Sequence, residues 1–231
     1  MGSIDANLQE VKRRIARAAD AAGRSAQSVT LLAVSKTFAP ETVRQAHAAG
    51  QRDFGENYVQ EALAKIAALA DLRTDLCWHL IGPLQSNKTR VVAENFDWVH
   101  TVDRLKTAER LAAQRPPALP PLQLCLQVNV SGEASKSGVV PDELPALAQA
   151  VAALPRDRVR LRGLMSIPEP ADGFDAQRRP HRMLRELLLA LNEQGLALDT
   201  LSMGMSADLE AAVAEGATLV RVGRALFGAR S

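Results

Sequence analysis

Lys36 ends the run Val29-Thr30-Leu31-Leu32-Ala33-Val34-Ser35, and that position is the strongest chemical signal in the chain. The β-branched and apolar residues before it read as a buried strand. Pro40 then opens a helical pattern over residues 40–49, closed by Gly50. The lysine therefore stands where a core strand runs out into a loop. Two chemistries fit an amine there. Its stem can lie along an apolar wall with the head in water, or the amine can be desolvated, lose its proton and attack a carbonyl. The chain has six lysines, at 12, 36, 65, 88, 106 and 136, and the other five fall in helical or loop patterns. Only Lys36 ends an apolar strand.

Other strand ends carry polar residues too. Phe54-Gly55-Glu56-Asn57, Trp78-His79-Leu80-Ile81-Gly82, Gly163-Leu164-Met165-Ser166, Leu201-Ser202-Met203-Gly204-Met205-Ser206 and Val220-Arg221-Val222-Gly223-Arg224 each combine an apolar run with glycine, amide, hydroxyl or a charged ring or head. Loops need glycine anyway, so a single instance means little; the recurrence points to a site on the face where strands end. Ser206 fits the N-cap of a helix over residues 206–215, and the same geometry turns N–H groups and a hydroxyl outward, as an anion site does. Gly223 adds a second position where backbone can approach a ligand closely. Arg221 sits between two valines; facing inward it can donate to a ring nitrogen or an anion, and facing outward it forms an ordinary salt bridge. An amine, an anion cradle and an inward arginine match pyridoxal phosphate, whose aldehyde, phosphate and ring nitrogen need those three partners. A sugar or triose phosphate, with Lys36 as an aldolase-type amine, answers to the same residues.

Such a site needs a scaffold that brings the strand ends together. Strand patterns fall at 29–36, 51–55, 77–82, 97–102, 122–130, 158–166, 198–203 and 218–222. Helical patterns fall between them at 40–49, 57–70, 85–94, 104–114, 141–153, 176–194 and 206–215, with a short turn at 224–228. Strict alternation implies parallel strands with helical crossovers, and eight units imply closure. The fold class is α/β, a single (β/α)8 TIM-type barrel spanning residues 1–231, with an extra N-terminal amphipathic helix built on Ile4, Leu8, Val11 and Ile15. The proline-rich stretch 115–121 reads as a stiff loop before strand five rather than a domain boundary. Arg178, Arg179, His181, Arg182 and Arg185 read as a solvated helical face.

Composition excludes several classes. A formal net charge of +2 supplies no field for nucleic acid or membrane, and 3% aromatic residues leave no stacking platform. Cys77 and Cys125 lie in apolar runs without metal-ligand spacing and read as packed thiols, so no metal is expected. No stretch approaches a membrane span, and the N-terminus lacks a signal-like apolar core; the expected location is the cytoplasm.

The runs Leu32-Ala33-Val34-Ser35-Lys36, Phe54-Gly55-Glu56-Asn57-Tyr58-Val59-Gln60-Glu61, Trp78-His79-Leu80-Ile81-Gly82-Pro83-Leu84-Gln85-Ser86-Asn87-Lys88, Ser135-Lys136-Ser137-Gly138, Leu201-Ser202-Met203-Gly204-Met205-Ser206 and Val220-Arg221-Val222-Gly223 resemble the pyridoxal phosphate homeostasis protein family. They spread over nearly the whole chain. The resemblance implies a barrel similar to the N-terminal domain of alanine racemase, with pyridoxal 5′-phosphate held as a Schiff base on Lys36. It places Ser206, Gly223 and position 224 in the phosphate loops, Arg221 at the pyridine nitrogen, and Asn57, His79, Met165 and Ser166 at the pocket wall. Position 224 is often a small hydroxyl residue in this family and is Arg224 here, which leaves its backbone N–H available.

An arginine facing the ring nitrogen opposes its protonation and so restrains carbanion chemistry. Racemization also needs a second acid/base on the opposite face. The single tyrosine, Tyr58, reads as a packing residue at a helix start, and the chain stops soon after its eighth strand. The expected role is therefore a non-enzymatic carrier that buffers or delivers the cofactor, with apo-enzymes as acceptors and no catalytic residue; a weak racemase is the alternative. Lys136 reads as a solvated loop lysine, with a role as a second amine during release as the competing reading. A monomer is expected.

Overall fold

The computed structural model describes residues 3–132 and 137–228. Ser3 caps the first helix, its Oγ accepting from the Ala6 N–H at 3.2 Å, and α1 (Ile4–Ala21) follows. Leu8, Val11 and Ile15 recur at helical spacing and are buried. Burying each contributes about 1.5–3 kcal/mol, which is what seats α1 on the barrel wall. Arg14 pairs with Glu210, and the Asn7 amide donates to Leu226 O at 3.0 Å, tying the helix to the last βα units.

Eight strands follow: β1 (Thr30–Val34), β2 (Asp53–Glu56), β3 (Cys77–Leu80), β4 (Trp98–Val102), β5 (Leu122–Gln127), β6 (Val159–Met165), β7 (Thr200–Ser202) and β8 (Leu219–Val222). Each pairs in parallel with the next, and β8 pairs back onto β1 through Leu32↔Arg221 and Ala33↔Val222, closing the barrel. The helices that follow them in turn are α2 (Pro40–Ala48), α3 (Val59–Ala68), α4 (Thr89–Asn95), α5 (Leu105–Gln114), α6 (Leu144–Ala152), α7 (Phe174–Glu193), α8 (Leu209–Ala214) and α9 (Arg224–Phe227). Most of the apolar core lies between this helical layer and the strands. Inside the barrel Leu32, Val34, Ile81 and Leu219 form a separate cluster. No helix of the described residues is long and apolar enough to cross a membrane.

β1, β3, β5, β6 and β7 stop short of the apolar runs at their C-terminal ends, because the residues past the last ladder bond turn into the βα-loops, whereas β2 runs one residue further, to Glu56. The cationic segment of α7 is solvated at Arg179, but its other members turn to the neighbouring unit. Arg178, Arg182 and Arg185 converge on the buried carboxylate of Glu215 after α8, the first at 2.6 Å. His181 is buried against Asp208. Helical spacing had placed these residues on one face, but the face packs on the neighbouring unit.

Candidate functional site

Lys36 lies two residues past β1, half-buried at the C-terminal mouth of the barrel. Thr37 beside it has φ 69°, the left-handed region that a β-branched residue enters only when its surroundings hold it there.

Arg221 reaches the same mouth from β8. It is 4% exposed and faces inward, donating from one nitrogen to Ser202 O (2.6 Å) and Ser202 Oγ (2.8 Å), and from another to Ser166 O (2.8 Å). Burial lowers its pKa to about 10, and the nearby Asp208 carboxylate works against that drop, so the guanidinium stays charged at neutral pH. This settles the inward-or-outward alternative in favour of the barrel interior.

Below Arg221 a polar chain crosses the barrel. Ser202 Oγ lies 2.8 Å from His100 Nδ1, His100 Nε2 lies 2.9 Å from His79 Nδ1, and His79 Nε2 lies 3.2 Å from Asp53 Oδ1. The guanidinium only donates and the carboxylate only accepts. With one proton per ring, His79 donates to Asp53, His100 donates to His79, and the Ser202 hydroxyl donates to His100. Burial above all, with the Arg221 guanidinium also opposing a proton there, holds the His100 pKa well below the usual 6.5, so that ring is neutral. His79 was expected at the pocket wall; it sits instead inside the barrel with both nitrogens engaged. Its Nε2 shares the neighbourhood of Asp53 and Cys77, whose nitrogen, oxygen and sulfur lie within 4.8 Å of one another. This cluster is at the strand starts, at the other end of the barrel from Lys36. Cys125 is fully buried, whereas Cys77 is only partly so.

The loops after β7 and β8 face Arg221. Gly204 has φ 90°, and a Cβ there would come within 2.4 Å of Ala212 Cβ, so only glycine makes this turn. The helix begins at Leu209, two residues later than Ser206 as N-cap requires, with Asp208 in the N-cap position. Asp208 organises the turn: its Oδ1 accepts from Met205 N–H (2.7 Å) and its Oδ2 meets His181 Nε2 (2.9 Å). Burial pushes the Asp208 pKa up, but these two hydrogen bonds together with nearby positive charge, Arg221 included, hold the carboxylate below its usual 3.8. Ser206 is thereby left out of the cap. Among the described residues, the backbone N–H groups of Ser206, Ala207, Gly223 and Arg224 donate to no backbone acceptor. The Arg224 side chain is exposed, and Gly223 packs under Val34, whose carbonyl a Cβ would approach to 3.1 Å.

Two further atoms fit a ligand at this mouth. Asn57 Oδ1 and Ser166 Oγ are buried without a hydrogen-bond partner. Met165, fully buried, ends β6 beside Ser166 and pairs with Ser202. An amine, a buried cation, four unpaired amides and two unpaired polar atoms suit an aldehyde coenzyme with a phosphate tail. Tyr58 does not pack: it is extended before α3 and 57% exposed. Lys136 lies outside the described residues. Ser202 and His100 escaped the sequence-based site, although alternation along β4 and β7 marks both as inward-facing.

Residues 6–231 match the family described as alanine racemase, N-terminal domain. The chain is 65% identical over 230 residues to the pyridoxal phosphate homeostasis protein of Pseudomonas aeruginosa, covering 100% of this chain and 97% of that one. The chain belongs to the pyridoxal phosphate homeostasis protein family. The Escherichia coli member of this family is 52% identical, covering 100% of this chain and 98% of its own. PipY of Synechococcus elongatus, solved with PLP bound, is 45% identical with a TM-score of 0.80, covering 87% of this chain and 93% of its own. Alanine racemase from Corynebacterium glutamicum, at 17% identity and a TM-score of 0.71 over 96% of this chain and 59% of its own, shares the fold.

Proposed function

We propose that this protein binds pyridoxal 5′-phosphate at the barrel mouth and buffers or delivers it, in the cytoplasm and as a monomer. The observation that carries this is the convergence of Lys36, Arg221 and the unpaired amides of the β7 and β8 loops on one face, in a family whose PipY member is solved with PLP bound. When bound, the coenzyme supplies an electrophilic aldehyde and an electron-withdrawing ring.

Lys36 provides the amine that holds the aldehyde as a Schiff base, with release of water. The Ser206 hydroxyl and the N–H groups of Ser206, Ala207, Gly223 and Arg224 take the phosphate. Arg221 faces the ring nitrogen, and its positive charge opposes a proton there. Asn57 and Ser166 turn their unpaired polar atoms toward the pocket, and Met165 closes its wall. A ring kept unprotonated is a weak electron sink, which suits storage and hand-over to apo-enzymes rather than turnover.

The test is an absorbance spectrum of the purified protein with added coenzyme, before and after borohydride reduction, for wild type and Lys36→Ala. A coenzyme-sized mass fixed on the Lys36 peptide, absent in the variant, is the expected result. Equal trapping in both proteins overturns the assignment. Sustained Cα–H exchange of an amino acid in deuterated water would make the protein a racemase-type enzyme instead.

A further inference from the structure

We propose that Lys65 and Glu61, both on α3, are positioning residues that set the aim of Lys36. The proposal rests on the reading of Lys36 as the coenzyme-holding amine.

Lys65 is the one lysine of a helical pattern that the fold buries among the described residues, at 2% exposure. A buried ammonium needs compensation on every proton, and here all three are satisfied. Nζ donates to Ser35 O at 2.8 Å, to Glu56 Oε1 at 2.6 Å and to Glu61 Oε1 at 3.1 Å. Glu56 is itself buried and takes a further bond from Ser35 Oγ at 2.6 Å. Glu61 Oε1 also accepts from the Thr37 N–H at 2.5 Å.

These bonds bracket one residue. Ser35 O belongs to the peptide group before the Lys36 Cα, and the Thr37 N–H belongs to the peptide group after it. Lys65 holds the first directly and the second through Glu61. Both peptide planes next to Lys36 are therefore tied to a single buried cation, and with them the direction of its Cα–Cβ bond. The left-handed Thr37 marks the same restraint, since a free loop would relax it. Glu56, behind the strand, supplies the countercharge that lets the ammonium stay buried. A flexible amine at a loop edge is thereby held in reach of an aldehyde anchored by its phosphate, the arrangement that proximity effects require.

The experiment compares two ligands. Pyridoxal 5′-phosphate needs Lys36 for covalent attachment, whereas pyridoxine 5′-phosphate has no aldehyde and reports only the phosphate and ring contacts. Glu61, half-exposed, is replaced without emptying the core. Glu61→Ala is expected to slow borohydride-trappable attachment at Lys36 about tenfold while leaving pyridoxine 5′-phosphate affinity unchanged. Glu61→Gln keeps an acceptor for Thr37 and should recover most of the lost rate. The paired substitution Lys65→Met with Glu56→Gln removes the buried charges together and should slow attachment at least as much. Unchanged attachment in Glu61→Ala overturns the proposal, and so does a parallel loss of both ligands, which marks a merely structural role. A wild-type protein that never attaches the coenzyme at Lys36 removes the premise itself.

Discussion

Gly82→Ala isolates how tightly the β2 and β3 ends are joined at the mouth. Gly82 follows β3, and its carbonyl accepts from Thr101 Oγ1 at 2.7 Å. A Cβ at this position would lie 2.1 Å from Asn57 O and 2.6 Å from Asn57 Cα, both backbone atoms that no rotamer change can move. Carrying that oxygen from 2.1 Å to the 3.4 Å where ordinary contact begins requires about 1.3 Å of separation between the two loops. Overpacking that forces backbone shifts costs about 3 kcal/mol at the upper end of its usual range. For a chain of this size that lowers the melting midpoint by about 6–12 °C. Because Asn57 moves with the backbone, coenzyme affinity should fall by about tenfold or more, as misplacements near an ångström do. Gly55→Ala is the control: its Cβ would meet the Ile81 Cδ1 and Leu32 Cδ2 ends at 3.1 Å, and these side chains can yield. Differential scanning calorimetry and a coenzyme titration on both variants decide the matter. A Gly82→Ala protein that melts with the wild type and binds equally well refutes the reasoning.

Two further outcomes follow from buried titratable groups. His100 has a folded pKa well below 6.5, so the unfolded chain binds protons more readily and stability falls as pH drops below about 6.5, by at most about 1.4 kcal/mol per pH unit from this ring. His100→Gln should flatten that part of the urea-midpoint profile, and a variant retaining the wild-type slope would show that another group is responsible. Burial raises the thiol of Cys125 to about 12 and, together with the Asp97 and Asp53 charges, raises that of Cys77 even more. Both should resist iodoacetamide in the native protein at mildly alkaline pH and react once it is denatured; rapid native alkylation would contradict the burial.

The barrel was legible because its evidence is local. Each apolar run, each following helical period and each intervening glycine or proline lies within a few residues of the next, so alternation and closure can be counted along the chain. Lys36 was legible for the same reason, as the polar end of an apolar strand. The partners of these residues were not. Ser202 meets His100 across 102 positions, and Lys65 meets Ser35 O across 30. A helical lysine has no sequence mark that distinguishes a solvated head from one fully committed in the core. Ser206 resembles an N-cap by type, yet Asp208 performs the bonding of that turn because His181 reaches it from α7.

The order of hydrophobic and polar residues by itself determined a closed parallel barrel, the face on which its loops gather polar groups, and the strand that ends in an amine. Only the tertiary structure decided that Arg221 turns inward, that His79 is spent on His100 and Asp53, and that Lys65 holds the backbone on both sides of Lys36. The physical reason is that periodicity sets which side of a strand or helix is buried, whereas a buried charge is tolerable only with partners that closure brings from distant segments.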